Sequence, residues 1–312
     1  MTEPVRVGLA GAGQWAATMH APLHTAGAET RLAGIWSRSP ARAQALASRF
    51  GVPAYRRYTD LLNDVEAVDI AVTPDAQPSL AIQAAEAGRA LLLEKPLAAT
   101  LADAERVAAA VRIAGVPNLV VLSKRYHPAT DSFLQQAADL AHHAPLSGLT
   151  GLYLHGGFLD GGFLSAAERN GWRQRLGPLF DLGPHLLDLM DAAAGRIVSV
   201  QVTGDHRGYT TFDTVHLDGA VGQAAVSGSI GLPAAHAEVI LYGAAGVARY
   251  TSAGLNPNEA WPRVRREFAA AVRASGLVTV DVERALHIQR LLAASDQSAR
   301  KQRSVQVAEL IR

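Results

Sequence analysis

The chain contains no cysteine. That absence excludes disulfides, a thiolate nucleophile and any zinc or iron–sulfur centre built on cysteine ligands, and it is compatible with a reducing cytosol. A charge excess is missing too: 29 Lys and Arg face 28 Asp and Glu, for a formal net charge of +1. Such a balance offers no general attraction to nucleic acid or to an anionic membrane surface, so neither is expected as a partner. No segment approaches the ~18 continuous apolar residues of a membrane-spanning helix. Met1 is followed almost at once by a strand-like run, Val5 to Ala10, without the apolar core and small-residue cleavage site of a signal peptide. A cytoplasmic protein is the expectation. Internal repeats and low-complexity linkers are also lacking. What is there is 312 residues, 49% of them hydrophobic, which is ample for packed cores in two domains.

The first 120 or so residues alternate short apolar runs with longer Ala-rich amphipathic stretches, the pattern of βαβ units on a parallel sheet. Strands are predicted at Val5 to Ala10, Arg31 to Trp36, Val68 to Val72, Ala90 to Leu93 and Leu119 to Leu122. Helices are predicted at Pro40 to Phe50, with proline at its start and Gly51 after its end, and at Leu101 to Ala114, stopped by Gly115 and Pro117. After Tyr126 the runs Leu149 to Phe158, Val198 to Thr203, Thr214 to Leu217, Gln223 to Ser229 and Glu238 to Tyr242 follow one another between Gly-rich turns, which favours a largely antiparallel sheet. The expected fold is therefore α/β: a Rossmann-type doubly wound parallel sheet in residues 1–123, then an α+β domain with a large, mostly antiparallel open sheet in 124–312.

The first strand runs into Gly11-Ala12-Gly13-Gln14-Trp15-Ala16, a G-x-G-x-x-A fingerprint that opens a helix. One glycine permits the tight turn, the next lets backbone approach a pyrophosphate, and the small third residue lets helix and strand pack closely. Gly11, Gly13, Gln14 and Trp15 are thus candidates for binding a dinucleotide at the N-H groups of a helix start. At the end of the second strand the acid that would hold a ribose 2′-hydroxyl is missing, and Trp36-Ser37-Arg38-Ser39 stands there instead. A hydroxyl followed by a guanidinium suits a 2′-phosphate, so NADP is expected over NAD, with Ser37 and Arg38 as its ligands. The alternative for Arg38 is a solvated loop arginine.

Two further strand ends fall on the cofactor side of the sheet. Ala71-Val72-Thr73-Pro74-Asp75 places Thr73 and Pro74 to line the nicotinamide ribose, and Ala90-Leu91-Leu92-Leu93 leads into Glu94-Lys95-Pro96. Lys95 offers up to three donors to an oxygen on the reacting carbon and can stabilise a developing alkoxide. Glu94 is read as support for the lysine, and Pro96 as fixing the turn that aims it. The alternative is a surface Glu-Lys pair at a strand end.

These motifs carry a resemblance. The order G-x-G-x-x-A, a Thr-Pro strand end and then Glu-Lys-Pro resembles the glucose-fructose oxidoreductase, inositol dehydrogenase and rhizopine-catabolism family. The second half is similar as well: Gly171-Trp172-Arg173 precedes Asp181-Leu182-Gly183-Pro184-His185-Leu186-Leu187-Asp188, which matches the family's D-x-G-x-H-x-x-D signature. Similar features run through Ser123-Lys124-Arg125-Tyr126-His127-Pro128 and Val280 to Val307, so the likeness spans nearly the whole chain. Two departures stand out: only Gly177-Pro178 precedes Leu179 where a Gly triplet is common, and the chain is short for the family.

Spacing gives that second signature a role of its own. Asp181, His185 and Asp188 lie four and then three residues apart, so on one helix they would share a face. Pro184 limits where that helix can begin; if it starts near Gly183, the dipole favours neutral His185 while Asp181 pulls the other way, a balance suited to a general base and acid near neutral pH. The resemblance implies the mechanism. His185 takes the proton of a substrate hydroxyl as hydride leaves its carbon for nicotinamide, Lys95 holds the oxygen, and Asp181 orients or tunes the histidine.

Arg125, Trp172 and Arg173 are weaker candidates for the substrate side, since an aromatic face and fixed donors suit a polyol or sugar ring. His20 and His24 sit one helical turn apart, but no third acidic ligand is evident nearby, so they are read as packing or hydrogen-bonding groups and no metal is expected. His142-His143 reads as solvent-facing, and Gly156 to Gly162 as a loop. The expected activity is NADP- or NAD-dependent oxidation or reduction at a secondary alcohol or ketone of a sugar, polyol or cyclic diol, in a homo-oligomer as the family implies. A cofactor-binding sensor without turnover and an NAD-dependent glycoside hydrolase of the same fold are the alternatives.

Overall fold

The computed structural model describes residues 3–205, 208–273 and 277–311. The chain forms two compact units, Met1–Ser123 with Asn258–Leu286, and Lys124–Pro257 with His287–Arg312. Segment 258–286 thus clusters with the first 123 residues. Side chains account for its place there: the Arg265 Nε donates to Glu29 at 2.7 Å, and the Trp261 ring stands edge-on to His20 at 5.6 Å.

The first unit is built on six parallel strands: β1 (Val5–Ala10), β2 (Thr30–Trp36), β3 (Ala54–Tyr55), β4 (Ala67–Ile70), β5 (Ala90–Glu94) and β6 (Asn118–Val121). Their order is β3-β2-β1-β4-β5-β6, the doubly wound Rossmann arrangement, with the strand order reversing between β1 and β4. Helix Pro40–Phe50 starts where Ser39 accepts the Arg42 N-H and stops at Gly51, whose φ of +66° suits glycine. Its buried Ala43, Leu46 and Ala47 pack onto Leu9, Leu32 and Ile35 of the sheet. Helix Leu101–Ala114 repeats the device with Thr100 as its cap and Gly115 at φ +62°.

The second unit carries the mixed sheet β12-β11-β7-β10-β9-β8-β13. Its strands are β7 (Leu146–Leu154), β8 (Ile197–Gly204), β9 (Tyr209–His216), β10 (Val221–Ser227), β11 (His236–Gly243), β12 (Gly246–Thr251) and β13 (Val305–Gln306). All neighbours are antiparallel except β7 and β10, so the expected antiparallel character holds with one parallel pair. Burial along β9 alternates, the pattern of a sheet with one covered face. Helix Gly183–Ala194 lies on that covered face, close enough that a Cβ on Gly151 would stand 3.1 Å from Leu186 and Met190. Among the described residues no helix is long and apolar enough to cross a membrane.

Candidate active site

In the first unit the glycine turn sits at the switch point of the sheet. The Gly11 N-H donates to the Trp36 carbonyl at 2.8 Å, and at φ +141° a Cβ on Gly11 would lie 2.2 Å from the Ala71 carbonyl oxygen. Glycine is therefore demanded at this position by the close approach of the ends of β1 and β4. Gly13 differs: a Cβ there would meet nothing within 4 Å. Helical turns begin at Gln14 and continue as a π-helical stretch, Ala16–His20. An open glycine ahead of helix-start N-H groups, at a switch point, fits the pyrophosphate of a dinucleotide, which Gly11, Gly13, Gln14 and Trp15 would hold. Arg38 is exposed at the end of β2, while the Ser37 hydroxyl donates to the Ser39 carbonyl at 2.8 Å. Thr73 is exposed and Pro74 buried where the chain leaves β4, and the Thr73 carbonyl accepts the Gln77 N-H at 3.0 Å.

Glu94 ends β5 almost fully buried, and every contact of its carboxylate has a purpose. Oε1 accepts the Trp15 Nε1-H at 2.8 Å and faces His20 Nε2 at 3.0 Å, and Oε2 accepts the Lys95 backbone N-H at 2.9 Å. The Lys95-Pro96 peptide bond is cis, and Lys95 is half-buried. Gln77, 1% exposed, clamps the same turn: its Oε1 accepts the Glu94 N-H at 2.9 Å, and its Nε2 donates to the carbonyls of Glu94 at 2.7 Å and Leu97 at 3.0 Å.

Behind Glu94 lies a buried chain of polar groups. His20 Nδ1 faces Asp69 at 2.8 Å, His24 Nε2 faces the same carboxylate at 3.0 Å, and the His24 Nδ1 meets the Thr30 hydroxyl at 3.0 Å. Burial by itself would lower the His20 pKa, but the charge of Asp69 and hydrogen bonds to Asp69 and Glu94 outweigh it and push the group up to about 10. His20 and His24 are thus hydrogen-bonding groups. Neither Asp69 nor Gln77 was singled out in the sequence, yet Asp69 is a charge inside an otherwise apolar strand, and a buried carboxylate requires partners. That signal was there to be read.

In the second unit Asp181 and His185 do not share one helix. Helix Trp172–Asp181 carries a break at Gly177, with φ 71° and ψ −176°, and ends at Asp181, after which a new helix, Gly183–Ala194, begins. Pro184 is in its first turn, as expected, and His185 follows it. The Arg173 Nε donates to the Asp181 carboxylate at 2.9 Å, and the Arg173 guanidinium lies 4.5 Å over the Trp172 ring. His185 is buried, its ring edge-on to Tyr153 at 6.1 Å. Burial and the charge of Asp181 both raise the Tyr153 hydroxyl above its usual range, and the Lys124 ammonium sits 4.5 Å over the same ring. Asp188, fully buried, accepts from Arg125 NH1 at 3.0 and 3.1 Å, so Arg125 serves an internal ion pair. Tyr153 beside His185, with Lys124 over the Tyr153 ring, was not anticipated. His142 and His143 are exposed, and Gly156–Gly162 is loop, as read from the sequence.

The family model for an oxidoreductase family with an NAD-binding Rossmann fold matches residues 5–122. The dTDP-3,4-didehydro-2,6-dideoxy-alpha-D-glucose 3-reductase of Saccharopolyspora spinosa is 34% identical over 114 residues, 36% of this chain and 34% of that protein. The chain thus spans about a third of the length of that relative. An uncharacterized oxidoreductase, YdgJ of Escherichia coli K12, is 30% identical over 272 residues, covering 83% of this chain and 74% of that one. The crystal structure of GenD2 from gentamicin A biosynthesis, in complex with NAD, superposes with a TM-score of 0.84 at 23% identity over 98% of this chain and 97% of that one, which shows the fold.

Proposed function

The chain belongs to the Gfo/Idh/MocA oxidoreductase family, and on that premise we propose that it transfers a hydride between a nicotinamide cofactor and a secondary alcohol or ketone of a sugar, polyol or related cyclic diol. The observation that carries the reading is the Glu94-Lys95-Pro96 turn at the carboxyl end of β5, tied by Glu94 to Trp15 of the glycine turn. When bound, the nicotinamide supplies the hydride donor or acceptor. In this reading Lys95, His185 and Asp181 are the reacting side chains. The Lys95 ammonium donates to the substrate oxygen and stabilises negative charge on it during the transfer. His185 accepts the proton of the hydroxyl during oxidation and returns it during reduction. Asp181, held by Arg173 at 2.9 Å, orients the histidine. Trp172, with Arg173 over its ring, offers a platform for a sugar face. A sugar substrate is supported by the named activity of the Saccharopolyspora relative.

The reading favours NADP, because β2 ends at Trp36 and is followed by Ser37 and an exposed Arg38 with no carboxylate between them. It also takes the enzyme to be cytoplasmic and to be a homo-oligomer, and sedimentation of the purified chain measures the oligomeric state. The decisive experiment is a screen of polyols, aldoses and cyclic ketones with both phosphorylated and non-phosphorylated nicotinamides, repeated on Lys95→Ala and His185→Ala. Turnover in the wild type and its loss in both variants, with cofactor affinity kept, is expected. Near wild-type turnover in both variants overturns the assignment. For the cofactor, a preference for NADH unaffected by Arg38→Ala overturns the phosphate role of Arg38.

A further inference from the structure

The proposed reaction uses Lys95 but leaves the buried chain behind it without a task. Its geometry sets the proton count. His20 presents Nδ1 to Asp69 at 2.8 Å and Nε2 to Glu94 at 3.0 Å, with His20 and Asp69 wholly buried. A neutral imidazole has one N-H, so it would turn a lone pair toward one of these carboxylates; only the imidazolium donates to both. His24 has no such demand, since Nε2-H donates to Asp69 while Nδ1 accepts the Thr30 hydroxyl. The other groups around His20 are the edges of the Trp15 ring at 6.4 Å and the Trp261 ring at 5.6 Å. Arg265, on the helix that carries Trp261, is committed to Glu29.

The Glu94 carboxylate then has three donors from three places: the indole of Trp15 in the glycine turn, the ring of His20, and the backbone N-H of Lys95. We propose that His20 is a positioning residue for Lys95: held as an imidazolium between Asp69 and Glu94, it fixes the carboxylate that joins the glycine turn to the backbone of the lysine. The elevated pKa of His20, about 10, agrees with a charge kept throughout the neutral range. Without His20 two buried carboxylates face each other with no cation between them, and the Glu94 side chain loses one of the three contacts that set its rotamer. Trp15, 48% exposed, loses its edge contact with the His20 ring and has its indole hydrogen bond to Glu94 loosened. This inference rests on the role proposed for Lys95, but its first test does not.

Histidine-selective 13C and 15N spectra of the cofactor-free full chain near pH 8 read the proton count directly. The expected result is a doubly protonated ring signal that disappears in His20→Gln; the lack of such a signal overturns the inference. Kinetics supply the second test. His20→Gln and Glu94→Gln are each expected to lower kcat by about 10- to 100-fold with a smaller change in substrate KM, and the double variant to be no worse than either single one. Multiplying losses overturn the coupling. Should His20→Gln fail to fold, Trp15→Phe removes another donor from the same carboxylate and is expected to weaken cofactor binding about 5-fold or more and to lower kcat; no change in either overturns the inference. A wild-type chain that reduces no carbonyl compound defeats the proposed function alone, and the proton count and the cofactor affinities of the variants still decide the role of His20.

Discussion

Gly11 and Gly13 stand two residues apart in one turn, and the structure assigns them opposite duties that a pair of alanine substitutions separates. At Gly11 the added Cβ lies 2.2 Å from the Ala71 carbonyl oxygen and 2.9 Å from its carbon, both backbone atoms at the end of β4, and φ is +141°. Backbone cannot swing aside as a flexible side chain would. The strain of an L residue at that φ costs about 1–3 kcal/mol, and forcing the packed strand ends apart costs a further ~1–3 kcal/mol. Gly11→Ala is therefore expected to lose about 2–6 kcal/mol, a fall in Tm on the order of 10 °C for a unit of this size. At Gly13 the Cβ meets no atom within 4 Å, so Gly13→Ala is expected to unfold within a few degrees of the wild type, shifted upward if at all because alanine restricts the unfolded chain. Its cost falls on the ligand, since the methyl group points into the space through which backbone would approach a pyrophosphate. A tenfold or greater rise in Kd for NADPH, about 1.4 kcal/mol or more, is expected. Thermal denaturation followed by circular dichroism and a titration of NADPH fluorescence measure both variants. Unchanged cofactor affinity in Gly13→Ala refutes the placement of the dinucleotide on this turn, and an unchanged Tm in Gly11→Ala refutes the close-approach reading.

Three other outcomes follow from the same reasoning. Gln77→Ala removes the clamp on the Glu94-Lys95-Pro96 turn and strands buried backbone groups, so urea denaturation is expected to show a loss of about 2–4 kcal/mol, with turnover lowered further than folding alone explains. Arg125→Ala leaves the fully buried Asp188 carboxylate without its guanidinium, and a loss of about 3–5 kcal/mol is expected in the same assay; a raised substrate KM at unchanged stability would return Arg125 to the substrate side. His216 is held neutral by burial, which lowers its pKa although its Nδ1-H donates to the Gly195 carbonyl at 2.6 Å. Because its folded pKa lies below the unfolded value of 6.5, the unfolded chain binds the extra proton, and stability present above pH ~6.5 is lost as pH falls below it. Tm measured from pH 7.5 down to about 5 is expected to fall more steeply in the wild type than in His216→Gln.

Much of the fold was legible because its boundaries are local. Helices Pro40–Phe50 and Leu101–Ala114 end where expected, since Ser39 and Thr100 cap them and Gly51 and Gly115 take positive φ. Two-residue strands such as β3 and β13 were not, because a period of two needs more residues to show itself. The return of segment 258–286 to the first unit depends on contacts such as Arg265 with Glu29, more than two hundred residues apart in the chain, which no local pattern encodes. At the site, the Glu-Lys-Pro turn and the glycine fingerprint were visible as motifs. Their connection through the Trp15 indole and Glu94 was not. The spacing of Asp181, His185 and Asp188 suggested a shared helix face, but one helix ends at Asp181 and a new one starts at Gly183, which divides Asp181 from the other two. Spacing alone is blind to such breaks.

The central claim is that this chain moves a hydride, and following the hydride itself tests it most directly. Incubation with NADPH deuterated at C4, alongside keto-sugars and cyclic ketones, and mass analysis of the products is expected to place one deuterium on the newly formed carbinol carbon, with the label absent for His185→Ala and Lys95→Ala. A wild-type enzyme that transfers no label to any carbonyl compound, or that releases sugar from glycosides with the cofactor unchanged, would contradict the account.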